Sequence, residues 1–222
     1  MKLYCDPIST TVRPVLLFIA EHGLEVERAQ VSLMTGENLA PAYLAINPNG
    51  IVPFLLDGEL SLGESSAILK YLAEKVGSPA YPSALAARAK VNEALDWFNS
   101  HFHEYFVLFT VYPRMGIPRG MDPELAQHML AFGAERSPRW LKVLEEHMLA
   151  GRPFVCGDEI SLADYLGSIF VGLGEAMGVD LSPYPNITGW LGRMKARPAW
   201  DHVHADFNAL LAARRGQAQA AA

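Results

Sequence analysis

The stretch Asn47–Ser66, with the sequence NPNGIVPFLLDGELSLGESS, constrains the fold more than any other part of the chain. Its first four residues are rich in types that break regular structure or adopt positive φ, so a turn is expected there. Pro53 cannot donate a ladder hydrogen bond and belongs at a strand start or edge. Asp57-Gly58 indicates a two-residue hairpin turn, and helical spacing begins after Glu64. The stretch therefore predicts a loop, a hairpin and a helix.

Two parts of this stretch also suggest a ligand site. The backbone before Pro53 is expected to be extended, with polar groups available to a peptide that adds as another strand. Glu64, Ser65 and Ser66 crowd a helix N-terminus, where free N–H groups and the helix dipole attract an anion. Spacing alone also fits an ordinary hairpin and a capped helix, because turn and cap signals are common.

The arrangement NP-x-G-x-VP-x-L, followed by a hairpin and by ES-x-AIL-x-YL, resembles the N-terminal domain of the glutathione transferase superfamily. The resemblance implies that Val52, the residue before a cis Pro53, hydrogen-bonds the cysteinyl backbone of glutathione. It also implies that Glu64 and Ser65 hold the γ-glutamyl end. Glutathione is then a co-substrate, and neither a tightly bound cofactor nor a metal is expected.

The loop before Pro53 is where the family contacts the glycyl carboxylate of glutathione. Asn49 falls in this loop and is the candidate for that contact. The chain departs from the family pattern at Ile51, because some classes carry a basic or polar side chain hereabouts.

The chain before this stretch predicts a βαβ unit. Lys2–Cys5 is a β-prone run, the next segment has an apolar face at helical spacing from Val12 to Ile19, and Val26–Val31 alternates as a strand does. A right-handed crossover is expected. With a short helix over Glu37–Ile46, the order becomes βαβ-α-ββα, which is that of a thioredoxin-like domain. We place this glutathione-binding domain at residues 1–77.

The rest of the chain predicts an all-helical domain. A segment rich in proline and glycine, residues 78–85 with Gly77 before it, is the best linker, and residues 86–222 follow. The tail Gly216–Ala222 is expected to fray. The fold class is thus an α/β thioredoxin-like domain plus an all-α C-terminal domain. The predicted helices are Leu85–Val111, Asp122–Leu149, Leu162–Met177, Ile187–Ala196 and Trp200–Ala213.

Ser161-Leu162-Ala163-Asp164 has the pattern of a capping box. In this motif the serine and the acidic residue three positions later each satisfy a free N–H at the helix start. The surrounding GDEISLADY also resembles a capping motif of the family's helical domain. Ser161 and Asp164 are therefore predicted to be structural, not catalytic.

Hydroxyl groups near the first helix are the candidates for handling a thiol. A thiol bound at a helix N-terminus feels the positive end of the dipole, and a hydroxyl donor further favours the thiolate. The resemblance to theta- and delta-like enzymes, with a serine after β1 and an arginine four residues on, favours Ser9 and adds Arg13 to the glutathione site. An alignment to the beta class points to Thr10, and Thr11 is the third candidate. All three hydroxyls also fit simple helix capping.

The resemblance places the electrophile pocket on the first long helix of the helical domain. By position, Phe106, Phe109 and Tyr112 are its candidates. Aromatic residues at helical spacing are also typical of a core. Arg114 and Arg119 follow in a proline-rich segment, where they could attract an anion or remain solvated.

Charge and cysteine content limit the classes of function. The net charge of −6 gives no general basic field for nucleic acid or an anionic membrane. Cys5 and Cys156 are far apart and match no metal spacing, which is typical of reduced thiols in a cytoplasmic protein. The N-terminus lacks a signal-peptide pattern, and no apolar run is long enough to cross a bilayer.

Together these features predict a glutathione transferase that conjugates the glutathione thiolate to small hydrophobic electrophiles, as a cytoplasmic homodimer in detoxification. Two alternatives remain open. The same site could support glutathione-dependent dehalogenation, peroxide reduction or isomerisation, or the chain could be a non-catalytic binding module of the same fold. Specificity depends on pocket shape, which no motif encodes.

Overall fold

A four-stranded mixed sheet organises the first part of the chain. Its strands pair in the order β2-β1-β3-β4, with β1 and β2 parallel and the other neighbours antiparallel. The parallel pair forms the two ends of the expected βαβ unit, and the last two strands form the expected hairpin. Its two-residue turn is Gly58-Glu59, one residue later than predicted, because Asp57 pairs with Leu60 in the ladder. The strands are β1 (Lys2–Cys5), β2 (Glu27–Gln30), β3 (Phe54–Asp57) and β4 (Leu60–Leu62).

Three helices lie between or directly after these strands, so the predicted α/β fold is confirmed. Pro14 is the second residue of the first helix, where a missing N–H costs no helical hydrogen bond. Leu3, Leu55 and Leu69, from β1, β3 and the third helix, are fully buried. The helices are α1 (Arg13–Glu21), α2 (Pro41–Leu44, after a 3₁₀ turn at Glu37–Leu39) and α3 (Ser65–Val76).

The structure is a computed structural model that describes residues 1–118 and 120–220, without the side chains of 217–220. The chain divides into two compact units. The first comprises Met1–Lys75 with the segment from Arg197 onward, and the second comprises Val76–Ala196. Arg119 and the last two residues of the predicted frayed tail lie outside the described residues.

The last helix, α8 (Trp200–Ala220), belongs to the first unit, although the sequence places it with the other helices in 86–222. Phe207 of α8 is buried, and the guanidinium carbon of Arg13 lies 4.0 Å from the centre of its ring. Arg197, just before α8, donates through Nε and Nη2 to the carboxylate of Glu21 at 2.5 Å each. A buried ring and a two-bond ion pair therefore join this helix to α1.

The second unit consists of helices, as predicted. The first and second of them continue without a break into π-helical segments, Phe98–Val111 and Leu144–Leu149, and a 3₁₀ turn covers Pro113–Met115. Asp122 caps the second helix by accepting the N–H groups of its first turn. The helices are α4 (Leu85–Trp97), α5 (Pro123–Val143), α6 (Leu162–Ala176) and α7 (Pro185–Lys195).

Two glycines on α6 receive aromatic rings from the segment that continues α4. A Cβ atom at Gly167 would lie 2.2 Å from Cζ of Phe98, and one at Gly174 would lie 2.3 Å from Cζ of Phe106. Both rings are fully buried. The absence of a side chain at these two positions therefore lets the two helices approach closely.

The predicted capping box begins α6. The Asp164 carboxylate accepts four hydrogen bonds, from Val155 N–H, Ser161 N–H, Ser161 Oγ–H and Trp190 Nε1–H, at 2.7–2.9 Å. Burial raises the pKa of this carboxyl, and the hydrogen bonds oppose that rise. Asp164 thus joins the start of α6 to the preceding loop and to α7, which is a structural role.

Candidate active site

Ser9 lies in the loop between β1 and α1 and is held there by Asp6. The Ser9 N–H donates to the Asp6 carbonyl at 2.9 Å. The Asp6 carboxylate accepts the N–H of Ile8 at 3.3 Å and that of Leu33 at 2.8 Å. In turns, aspartate often accepts the backbone N–H of the residue two positions later, and this preference is the sequence signal from which the role of Asp6 could have been predicted. Asp6, which the sequence marks only as a strand end, therefore shapes the Ser9 loop.

Arg13 holds Ser9 from the other side. Its Nε–H donates to the Ser9 carbonyl at 3.4 Å, and its backbone N–H donates to the same oxygen at 3.2 Å. The side chain is only 1% exposed and stacks on Phe207. Arg13 therefore acts on the site through Ser9 in this structure, and its predicted contact with glutathione would be indirect.

A chain of hydroxyl groups joins Ser9 to the loop before β3. Ser9 Oγ lies 3.1 Å from Thr11 Oγ1, and the Thr11 hydroxyl donates to the Val52 carbonyl at 3.0 Å. Because the single Thr11 proton is used on Val52, Ser9 must donate to Thr11. Thr10, the candidate from the beta-class alignment, is buried, and its hydroxyl makes no hydrogen bond within the described residues.

Val52 precedes a cis peptide bond to Pro53. It lies just outside the ladder, which pairs β1 with β3 only as far as Tyr4 and Phe54. Its carbonyl accepts from Thr11, while its N–H has no acceptor among residues 1–118 and 120–220. The backbone of Val52 therefore offers an N–H donor in the loop that Thr11 links to Ser9, as peptide recognition at a sheet edge requires.

The loop that carries Val52 is held by three side chains whose contacts the sequence did not predict. Tyr43 Oη–H and Asn47 Nδ2–H both donate to the Ile51 carbonyl, at 2.7 and 2.8 Å. Asn38 Nδ2–H donates to the Gly50 carbonyl at 2.7 Å. Tyr43 lies in α2, Asn38 in the 3₁₀ turn before it and Asn47 in the segment after it, so this short helical region and its C-terminal end support the site.

Asn49 lies on the exposed tip of the same loop. Its N–H donates to Asn47 Oδ1 at 3.2 Å. Gly50, the next residue, has φ +62°, and a Cβ there would lie 3.1 Å from the Asn38 carbonyl oxygen. The turn therefore requires glycine at 50 and leaves the Asn49 side chain exposed, and its contact with the glycyl carboxylate stays a prediction.

Glu64 and Ser65 form the start of α3. Glu64 has φ 62°, a left-handed conformation that costs a non-glycine residue about 1–2 kcal/mol. Its carbonyl accepts the Ile68 N–H at 2.9 Å, and the N–H groups of Ser65 and Ser66 have no acceptor within the described part of the chain. Strain of this kind is typical of a functional position, and the free N–H groups suit a carboxylate.

Neither cysteine has the character of a reactive thiolate. Burial raises the pKa of the Cys5 thiol, which is 1% exposed, and raises that of Cys156 to about 11. Among the residues that the structure describes, no three His, Cys, Asp or Glu side chains are grouped to hold a metal ion. The hydroxyl groups near Ser9 stay the predicted groups for contact with a bound thiol.

The predicted electrophile residues lie in the second unit and differ in exposure. Phe106 is fully buried against Gly174, so no surface of its ring is open to an electrophile in this structure. Phe109 and Tyr112 are half-buried. Phe109 packs edge-on against Phe132 at 5.0 Å, and both residues stay predictions as pocket residues.

The two cationic candidates after this helix are Arg114 and Arg119. The Arg114 guanidinium donates to the Thr110 carbonyl, one helical turn earlier, and so caps the end of its own segment. Arg119 lies outside the described residues. No anion contact is assigned to either residue.

Comparison with known proteins agrees with this geometry. The family model described as the glutathione S-transferase N-terminal domain matches residues 3–80, and that of the C-terminal domain matches residues 120–198. Human glutathione S-transferase theta-2B is 32% identical over 200 residues, which cover 88% of this chain and 81% of that protein. The chain belongs to the glutathione S-transferase family. It is therefore a transferase that uses glutathione as its co-substrate, with relatives of the theta class.

Solved glutathione S-transferases share the fold over nearly the whole chain. The crystal structure of human glutathione transferase theta-2, in complex with glutathione and an unknown ligand, has a TM-score of 0.84 and 30% identity and covers 95% of this chain and 88% of that one. The theta-class enzyme of Xanthomonas axonopodis pv. citri, with glutathione bound, has a TM-score of 0.79 and 30% identity and covers 90% and 95%. Between residues 1 and 220, apart from 119, no helix is long and apolar enough to cross a membrane.

Proposed function

We propose that this transferase conjugates glutathione to small hydrophobic electrophiles and that the Ser9 hydroxyl stabilises the glutathione thiolate. The observation that carries the proposal is the position of Ser9, whose backbone is held by Asp6 and Arg13 while its hydroxyl lies beside the Val52 loop. A hydroxyl that is linked through Thr11 to a loop with an unpaired backbone N–H is suited to hold a cysteinyl residue and its sulfur together.

This arrangement can supply the free energy needed to stabilise the glutathione thiolate. A hundredfold gain in thiolate at neutral pH needs about 2.7 kcal/mol. A hydrogen bond to a charged acceptor contributes about 1.5–3 kcal/mol, and the N-terminus of a helix contributes about 0.3–1 kcal/mol. Ser9 with the start of α1 supplies both contributions. No general base within the protein is required, because the nucleophile is the sulfur of glutathione and its proton leaves to solvent.

The proposal extends to the remainder of glutathione, which would bind to residues of the first unit. The Val52 N–H and carbonyl bind the cysteinyl backbone, beside Pro53. The free N–H groups at Ser65 bind the γ-glutamyl carboxylate, and the Glu64 carboxylate binds the γ-glutamyl ammonium group. Asn49, at the exposed loop tip, is the candidate for the glycyl end, and Arg13 contributes by fixing Ser9.

The proposal includes a homodimer and a cytoplasmic location. The location is supported by Cys5 and Cys156 being free thiols, as in reducing compartments. Sedimentation of the purified chain tests the dimer, and a species of monomer mass alone would contradict it.

Phe109 and Tyr112 are proposed to contact the electrophile, because their side chains are half-buried and not enclosed.

The role of Ser9 is tested by titrating the glutathione thiolate on the enzyme through its ultraviolet absorbance. Ser9→Ala should lower the thiolate fraction at a fixed pH by about tenfold or more. Thr10→Val is the matched control, because the Thr10 hydroxyl has no partner, and it should leave the titration unchanged. An unchanged titration in Ser9→Ala would remove Ser9 from the mechanism.

The substrate class is tested by a glutathione-dependent activity panel of halogenated aromatics, alkyl halides, isothiocyanates and hydroperoxides. Conjugation of aromatic or alkyl halides supports the proposal. Activity restricted to hydroperoxides would indicate peroxide reduction instead. Glutathione binding without turnover of any member would indicate a binding module.

A further inference from the structure

We propose that Thr11 is a positioning residue that sets the direction of the Ser9 hydroxyl according to whether the glutathione site is occupied. This inference rests on the proposed function of Ser9 and Val52 and deepens it. It starts from the two hydrogen bonds of one side chain, 3.1 Å to Ser9 Oγ and 3.0 Å to the Val52 carbonyl.

The single proton on each hydroxyl determines the direction of the Ser9–Thr11 hydrogen bond when glutathione is absent. A hydroxyl donates one hydrogen bond and accepts up to two. A carbonyl has no proton, so the contact of Thr11 with Val52 uses the Thr11 proton. The contact between Thr11 and Ser9 then uses the Ser9 proton. Without glutathione, the proton that the thiolate needs therefore points toward Thr11.

Binding of glutathione brings a second hydrogen-bond donor to the Val52 carbonyl. In the proposed complex this carbonyl accepts the cysteinyl N–H of glutathione, an alternative donor to the Thr11 hydroxyl. Once Thr11 is released, a turn about its Cβ–Oγ1 bond lets it donate to Ser9 instead, because the 3.1 Å separation suits either direction. Ser9 then donates to the sulfur.

The reversed chain of hydrogen bonds also strengthens the last bond in it. A hydroxyl that accepts a hydrogen bond becomes a better donor, and this effect is larger inside a protein than in water. Ser9 lies in such an environment, since only 9% of its surface is exposed. Thr11 therefore makes the Ser9 proton available and polarises it when the cysteinyl backbone is in place. No heavy atom has to move.

The test compares Thr11→Val, which keeps the shape and removes the hydroxyl, with Thr11→Ser, which keeps the hydroxyl. Two properties are measured: the thiolate fraction of bound glutathione against pH, and the Kd of S-methylglutathione, whose sulfur cannot ionise. Thr11→Val should lower the thiolate fraction at fixed pH by about three- to tenfold, the size of one hydrogen bond. It should bind S-methylglutathione no more weakly than the wild type, and Thr11→Ser should match the wild type in both properties.

A purely structural tether predicts a different result. If Thr11 only held the two loops together, Thr11→Val would weaken S-methylglutathione binding as well, and this outcome would overturn the proposal. An unchanged thiolate fraction in Thr11→Val would also overturn it.

The double variant Ser9→Ala/Thr11→Val separates action through Ser9 from direct action on sulfur. If Thr11 acts through Ser9, the double variant should have the same thiolate fraction as Ser9→Ala alone. A further loss would show that Thr11 acts on the sulfur directly and would overturn the positioning role. If Ser9→Ala lowers the thiolate fraction and Thr11→Val does not, only this inference fails. If Ser9→Ala has no effect, the proposed role of Ser9 fails first.

Discussion

Gly174 of α6 lies directly against the ring of Phe106, so that an added Cβ would lie 2.3 Å from the ring carbon Cζ. Such a distance is far below van der Waals contact, and the ring is fully enclosed. The glycine is therefore a requirement of helix packing in the second unit and not a source of flexibility.

Gly174→Ala should therefore destabilise the protein. The ring and the new methyl group cannot both keep their positions, and overpacking of this kind costs about 1–3 kcal/mol. The free energy of unfolding from denaturant titration measures the effect. Gly192→Ala in α7 is the matched control, because a Cβ there meets no atom within 4 Å. The control should be stabilising by up to about 1 kcal/mol through helix propensity, and equal effects of both changes would contradict the packing role.

Two serines of the α6 region provide a second paired test, because only one of them has a hydrogen-bond partner. Ser161 Oγ donates to the Asp164 carboxylate at 2.7 Å, whereas Ser168 Oγ is buried with no partner among the described residues. Ser161→Ala should cost about 1–2 kcal/mol of stability. Ser168→Ala should be neutral or stabilising by up to about 1 kcal/mol, because an unsatisfied group is removed.

Thermal or denaturant unfolding of the two alanine variants checks this prediction. A loss of stability in Ser168→Ala comparable to that in Ser161→Ala would mean that the Ser168 hydroxyl has a partner in solution, such as a buried water molecule.

Local sequence signals predicted the sheet, the hairpin and the helices, because turn residues and periodicity act over a few positions. A two-residue turn joins β3 and β4 as expected, although it consists of Gly58 and Glu59 and not of Asp57 and Gly58, because the pairing extends to Asp57 and Leu60. The unit to which α8 belongs was not predictable, since an amphipathic pattern shows that a face is buried but not which partner buries it. The same limit explains why the burial of Phe106 was not predicted. An aromatic side chain fits a core and a pocket equally well, and only the structure shows that this ring packs against Gly174.

The candidate site was predictable as a set of segments but not as a network. The sequence could not rank Ser9 against its neighbours by contacts, because hydrogen bonds between hydroxyls leave no spacing pattern. The partner of Asp6 at Leu33 is 27 positions away, and Thr11 and Val52 are 41 apart. Such long-range pairs depend on the completed sheet, which brings the two loops together.

Cys156 provides a prediction of pH dependence. Burial raises the pKa of this thiol to about 11, so the thiolate is rare at neutral pH. Alkylation of the folded protein by iodoacetamide should be slow at neutral pH and should accelerate about tenfold per pH unit until the pH approaches that pKa. Mass spectrometry of the labelled protein gives the rate at each cysteine.

Cys156→Ser is the control for this measurement. It should abolish nearly all labelling of the folded protein, because Cys5 is only 1% exposed and burial raises its pKa also. In denaturant both thiols of the wild type should react rapidly. Fast labelling of folded Cys156 at neutral pH would show that the pKa of this thiol is not raised in solution.

Glu64 combines backbone strain with a proposed binding role, so its substitution should separate stability from affinity. Its φ of 62° costs the folded state about 1–2 kcal/mol, and glycine would relieve this strain. Glycine would also give the unfolded chain more freedom, which lowers stability by about 0.4–1 kcal/mol. Glu64→Gly should therefore raise the free energy of unfolding by up to about 1.6 kcal/mol. It should also weaken glutathione binding, because the carboxylate proposed to hold the γ-glutamyl ammonium group is lost.

Glu64→Gln removes the charge and keeps the strained backbone. It should weaken glutathione binding about as much as Glu64→Gly does, while stability stays within about 0.5 kcal/mol of the wild type, since the side chain is exposed. Denaturant unfolding and calorimetric titration with glutathione give the two quantities for both variants. Equal affinity of Glu64→Gln and the wild type would exclude a charge interaction at this position, and a loss of stability in Glu64→Gly would show that the left-handed backbone is not strained.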